Sequence, residues 1–301
     1  MPKPGSSRQQ VIVFLLLTFA FSSIFYFLCL YSQQLRGAEG KYALGIKWWC
    51  PGLAAMLILK LNGRKLSELG WRWPEARYVW MSWLVPLTYA AISYTIVWGC
   101  GLGGFPNYEF MQHLVPVMAL NASPLISTVL YLLLTGTYGM ITRVSSDLGE
   151  EIGWRGFLVP ELFKNIGYTR TSLLGGAVWA LWHYPLLIWS NYNSGSGEPL
   201  WFALICFTIM VIGDSFINTW LRLKSGSLWV AAIAHASHNL YIQTICTPLT
   251  RDTGKTLWFI DEFGVVVPIV TLFFAIYFWR RRHELEVAPL NGACEKSAIF
   301  T

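Results

Sequence analysis

The chain has 301 residues, 54% of them hydrophobic and only 13% charged, with a mean hydropathy of +0.46. Soluble domains carry about 25% charged residues, so this composition excludes a water-covered globular protein and points to the lipid bilayer. The net charge of +6 comes from scattered basic residues, which gives no basis for a nucleic-acid partner, and the 16 Trp suit rings anchored at two membrane interfaces.

A hydrocarbon core is crossed by ~20 apolar residues in helical form. The first such run, residues 11–31, follows Lys3 and Arg8 as a signal peptide would. It is too long for one and no small-residue cleavage site follows, so it reads as an uncleaved anchor. Runs at 43–61, 78–100 and 124–141 come next. Residues 145–165 (SSDLGEEIGWRGFLVPELFKN) have a helical pattern but too much charge to face lipid. They extend the fourth span, enter the membrane shielded by other helices, or lie at the inner face. Runs at 171–190, 200–221, 228–246 and 259–279 complete eight, and the residues after Arg282 are polar enough to be disordered. The expected fold class is therefore all-α, a polytopic transmembrane helical bundle of about eight spans with its active site inside the bundle. No internal repeat is visible, which counts against a transporter built from related halves.

Basic residues set the orientation. With the N-terminus inside, 17 of the 22 Lys and Arg fall in inner segments and 5 in outer ones (Arg36, Lys41, Lys47, Arg251 and Lys255), while the outer segments 101–123 and 191–199 hold none. The positive-inside rule then places both termini in the cytoplasm. The short loops suggest a prokaryotic plasma membrane. The six Cys show no CxxC spacing, and five lie in or beside apolar runs, where they read as small buried hydrophobes.

Ionisable groups inside apolar helices are costly and mark functional sites by default. Here they fall in three clusters: Glu150, Glu151 and Arg155 in GEEIGWRGFL, His183 in VWALWHYPLL, and His235, His238 and Asn239 in AAIAHASHNLY. Residues four apart share a helix face, so Arg155 can neutralise Glu151 as a buried pair. Glu150 lies about 100° round the helix, free to act alone. His235 and Asn239 are likewise neighbours, and Trp179 sits one turn before His183. His238 reads as a packing or interface residue, and Asp214 as a structural group that either caps a kink near Gly213 or pairs with Asn218 one turn later.

These segments also resemble a known family. GEEIGWRGFL is similar to the EExxxR motif of the CAAX prenyl protease and bacteriocin-processing (CPBP, Abi-like) membrane protease family. Trp179–His183 resembles its FxxxH motif with Trp in place of Phe, and His235–Asn239 its HxxxN motif. Order and spacing hold from Asp147 to Tyr241. The resemblance implies a catalytic core over residues 121–247, with N-terminal transmembrane helices over 1–120, a last helix over 248–282 and a polar tail over 283–301.

It also implies a glutamate peptidase in which Glu150 and His183 hold and activate a water. His235 and Asn239 then stabilise the oxyanion, while Glu151, Arg155 and Trp179 support them from behind. Substrates of the family are membrane-associated peptides or proteins, prenylated ones in eukaryotes. No metal or cofactor is expected. The alternative chemistry is a zinc site made of Glu150, His183 and His235, although HExxH is absent. The alternative function is a non-proteolytic membrane scaffold or regulator, resembling bacteriocin-immunity proteins, because fold does not fix function. The sequence does not set the oligomeric state. From the basic split, a cysteine placed at Asn107 on a Cys-free background should be labelled from the outer side; labelling only from the cytoplasm would overturn the span count.

Overall fold

A computed structural model describes residues 6–31, 47–118, 122–189 and 198–285. Arg36, Lys41, the first residues of the expected second span, most of the 191–199 segment and the tail from 286 onward lie outside the described residues. The fold is helical throughout, and no named strand occurs among the described residues.

Helix α1 spans Ser7–Tyr31 and α2 spans Cys50–Leu61, with Pro51 in its first turn, where a missing N–H costs nothing. A 3₁₀ turn at Leu66–Leu69 ends on Gly70 in the left-handed region, φ 90°. Helix α3 (Ala76–Gly99) and the short α4 (Tyr108–Val117) follow, and the Asn107 side chain caps α4 by accepting the Phe110 N–H. From Pro124 to Trp189 the chain then runs through 66 helical residues. They comprise α5 (Pro124–Leu134), a π turn (Thr135–Gly139), α6 (Met140–Glu151), a second π turn (Ile152–Leu158) and α7 (Val159–Trp189). Helix α7 consists of two helices joined at a kink at Gly167, whose φ of 69° suits glycine. Helix α8 covers Leu200–Ser225 and α9 covers Trp229–Asn239, the latter running on as a π turn at Leu240–Cys246. Helix α10 is Val266–Arg280.

Large apolar side chains such as Leu125, Leu133, Leu181, Ile205 and Phe273 point outward, while Glu150, Glu151, Arg155, Asp214 and His235 are buried. That polarity is inverted relative to a soluble protein and is what a bilayer demands. Ser7–Leu28, Pro124–Trp189 and Leu200–Ser225 are each long and apolar enough to cross a membrane, and the chain is a multi-pass integral membrane protein. Helices α7 to α10 and α3 enclose the centre, with close approaches at small residues. A Cβ on Gly176 would lie 2.8 Å from Ile212 Cα, and one on Gly213 would lie 3.1 Å from Thr271 Cγ2. At one end of the bundle Arg64 pairs with Glu161 and Leu228 N–H donates to Gly70 O. At the other, Gly104 and Arg251 form an isolated antiparallel bridge and Trp98 donates to Thr250.

Several expectations need correction. The last helix begins at Val266, not near 259, because residues 259–265 form turns that include Asp261 at φ 62° and a tight corner at Gly264. That detour carries Glu262 into the protein interior. Residues 283–285 are ordered, since a 3₁₀ turn at Arg281–Glu284 is held by Lys224 donating to Glu284 O. Cys100 is exposed, whereas Cys50 and Cys206 are buried. Two residues counted with the segments between spans are interior groups. The Lys47 ammonium lies 3.9 Å from the Trp48 ring centroid and 3.5 Å from that of Trp182, and Arg222 is buried. Cation–π contacts and backbone carbonyls give these cations partners that a loop count does not foresee.

The open question over 145–165 resolves into a shielded helix, and glycine spacing explains why. Gly149, Gly153 and Gly156 line the face turned towards α2 and the 66–70 turn. A methyl on Gly149 would lie 2.7 Å from Trp49 Cγ, and one on Gly153 would overlap Pro51. Backbones therefore meet directly, and the charged motif is covered by protein rather than lipid. Gly153→Ala should lower the thermal midpoint of the purified protein by an amount corresponding to ~1–3 kcal/mol of overpacking. Gly136→Ala, with nothing within 4 Å of its Cβ position, is the matched control and should leave the midpoint unchanged.

Candidate active site

The charged face of α6 opens into a central cavity of about 70 Å³, enough for a few water molecules. Glu150 and Asp147 reach it from α6, His183 from α7, Asp214 from α8, and His235 and Asn239 from α9. Asp147 and Glu150 are three apart and share one face of α6. Met140, Ile141, Val144 and Ser145 lie on another face, which lines a separate apolar groove of about 520 Å³ with Trp80 and Trp229.

Glu150 forms no salt bridge among the described residues; its Oε2 accepts the indole N–H of Trp179 at 2.8 Å and that of Trp154 at 3.4 Å. Glu151 turns away from the cavity. Its Oε1 takes the Arg155 guanidinium at 2.9 Å and His235 Nδ1 at 3.0 Å, and both carboxylate and guanidinium are almost fully buried. The Arg155 head also stacks on the Trp179 ring at 4.1 Å. Trp179 therefore holds two motif residues at once, by its ring face and by its N–H.

His183 Nδ1 lies 3.0 Å from the Trp179 carbonyl oxygen. A carbonyl only accepts, so Nδ1 carries the proton, and in a neutral ring Nε2 is then the acceptor. Its plane is fixed by aromatic neighbours, with Trp48 stacked at 5.7 Å and Trp182 edge-on at 4.9 Å. Asn239 spends one N–H on Asp147 Oδ2 at 3.0 Å, leaving its second. His238 is held at both nitrogens, by the Tyr89 hydroxyl at 2.6 Å and by Glu262 Oε1 at 2.8 Å. Asp214 Oδ2 accepts from Asn218 Nδ2 at 2.6 Å, although Asp214 also lines the cavity. Among the described residues, no three His, Cys, Asp or Glu side chains are grouped to hold a metal ion.

The structure thus brings Glu150, His183, His235 and Asn239 to one cavity, with Trp179 in its wall and Glu151 and Arg155 behind them. Sequence reasoning missed Asp147, Trp48 and Glu262. Asp147 was within reach, because it precedes Glu150 by one turn on the same face. Glu262 was not, because it comes from a turn hidden inside an apparent span. Nothing in the sequence places Trp48 over His183.

Because Glu151 serves two partners, its loss strands both. Glu151→Ala and Arg155→Ala should each destabilise the protein by ~3–5 kcal/mol, the usual result of leaving one charge of a buried pair alone. Removing both should cost less than the sum of the singles, read from thermal midpoints of the set.

Residues 121–241 match the family described as type II CAAX prenyl endopeptidase Rce1-like. A curated relative, CAAX prenyl protease 2 of Methanococcus maripaludis, is 32% identical over 107 residues, which is 35% of this chain and 38% of the relative. The chain thus matches under half the length of that relative, and the family match over residues 121–241 takes in most of the cavity lining. All three motif clusters fall within residues 121–241, the segment that is similar to the type II CAAX prenyl endopeptidase family.

Proposed function

We propose that the chain is an intramembrane endopeptidase that hydrolyses a peptide bond of a membrane-associated peptide or protein. The observation that carries this reading is the pairing of Glu150 with His183 across a cavity that admits water. One presents a carboxylate held by indole N–H groups, the other an imidazole whose Nε2 is left as acceptor.

A water held by these two groups gives a proton to the Glu150 carboxylate as its oxygen attacks the scissile carbonyl. The tetrahedral intermediate carries negative charge on the former carbonyl oxygen. His235 and the second N–H of Asn239 donate to that oxygen, each donor contributing about 3 kcal/mol or more in comparable sites. Collapse breaks the C–N bond as the Glu150 proton passes to the leaving nitrogen, which restores the carboxylate. Glu151 fixes the His235 ring through Nδ1 and leaves Nε2 facing the cavity, where an imidazolium N–H is the donor to the oxyanion.

The reading is metal-free. His235 Nδ1 is committed to Glu151 and His183 Nδ1 to Trp179, so each ring has one nitrogen left, and that nitrogen is used here for water and oxyanion. Substrates enter from the bilayer of a prokaryotic plasma membrane, with both termini of the protein in the cytoplasm. The apolar groove on the other face of α6 suits a lipid-modified peptide, in keeping with the prenyl protease named among the relatives.

Glu150→Gln and His183→Ala should each abolish cleavage while the protein still inserts and remains monodisperse. Asn239→Ala should leave residual turnover, since His235 still donates. Activity should survive strong chelators; full loss rescued by zinc alone would transfer Glu150, His183 and His235 to a metal site. Unchanged biological function in Glu150→Gln would replace the peptidase with a scaffold.

A further inference from the structure

Arg222 lies outside every motif and is buried without a carboxylate partner among its hydrogen bonds. Its Nε donates to the backbone carbonyl of Arg155 at 2.9 Å, and Nη2 reaches the carbonyl of Leu69 at 3.3 Å. Arg155 sits within the π turn Ile152–Leu158. A π turn widens the helix and replaces i to i+4 bonds with i to i+5 ones, which opens its carbonyls to an additional outside donor.

The second contact links that turn to another part of the site. Leu69 belongs to the 3₁₀ turn, and the next carbonyl, Gly70 O, accepts the N–H of Leu228 at 2.7 Å. Leu228 immediately precedes α9, which carries His235 and Asn239 two to three turns later. One guanidinium therefore references both halves of the site to the same strap of chain. On one side is the helix bearing Glu150 and Glu151; on the other is the helix bearing His235. The packing is tight, since a Cβ on Gly70 would lie 2.6 Å from Arg222 Nη2 and 3.0 Å from Gly226 O. A planar fork with fixed N–H directions suits this task better than an ammonium.

We infer that Arg222 is a positioning residue for the peptidase site: by bridging the Arg155 and Leu69 carbonyls it sets the separation of the Glu150/Glu151 helix from the His235/Asn239 helix. This rests on the peptidase reading for its kinetic consequence but not for its geometry. Relative displacement of the two helices alters the distance between the attacking water and the oxyanion donors, to which rates are steeply sensitive. It also alters the bond from His235 Nδ1 to Glu151, now 3.0 Å.

The test compares full-length wild type, Arg222→Gln and Arg222→Lys in detergent, with two readouts. On a peptide the wild type cleaves, Arg222→Gln should lower kcat ~10- to 100-fold with KM within about twofold, and Arg222→Lys should recover part of the loss. In ¹⁵N-histidine-labelled protein, the His235 ring signals, identified by their absence in His235→Ala, should shift in Arg222→Gln. Those of His283, at the exposed end of α10, should not. Unmoved His235 signals, or a kcat within twofold of wild type, overturns the inference whatever happens to the thermal midpoint. If Arg222→Gln does not yield monodisperse protein, Arg222→Lys is judged by the same two readouts. If the wild type cleaves no peptide offered, the peptidase reading fails on its own and the His235 signals alone decide the inference.

Discussion

Glu151 is the carboxylate on which the arrangement of this membrane interior depends. An ionised group away from water must be paired or pay a large desolvation penalty. Glu151 Oε1 meets that requirement with Arg155 from its own helix and His235 from α9. The pair to Arg155 fixes the phase of the π turn that follows, and the contact to His235 locks α9 against α6. Trp179 closes the arrangement, stacking on Arg155 and donating to Glu150. One buried charge thereby determines where the neighbouring carboxylate points.

The two glutamates illustrate how a helix separates duties. They are adjacent in sequence and about 100° apart in direction. Glu151 faces a cation and an imidazole in a dry interior, while Glu150 faces indole N–H groups and a cavity. Exchange of the two environments would require rotating α6 against its glycine contacts with Trp49 and Pro51. The glycines of GEEIGWRG are therefore part of the site. They allow α2 to cover a charged helix at backbone distance, which keeps the motif out of lipid.

A second polar layer lies behind the first. His238, Tyr89, Glu262 and Gln243 form a hydrogen-bonded group along the far wall of the cavity. Fully satisfied networks of this kind rigidify the low-dielectric interior in which they sit. They also show why a helical span can be interrupted at 259–265. The turn there costs some regular hydrogen bonds, but it delivers the carboxylate that His238 accepts as partner.

By itself the sequence determined the solvent, the helical class and the residues of the cavity that obey helical spacing. Low charge and long apolar runs admit only a bilayer protein, and periodicity pairs Glu151 with Arg155 while freeing Glu150, because both are properties of a single helix. Tertiary structure alone decided what crosses between elements. It put Trp48 over His183, turned Lys47 and Arg222 inward, and shortened the last helix so that Glu262 reaches His238. Those contacts join residues as many as 153 positions apart. No local pattern encodes such a separation, since it is set by which helices pack face to face and by the need to give every buried polar group a partner.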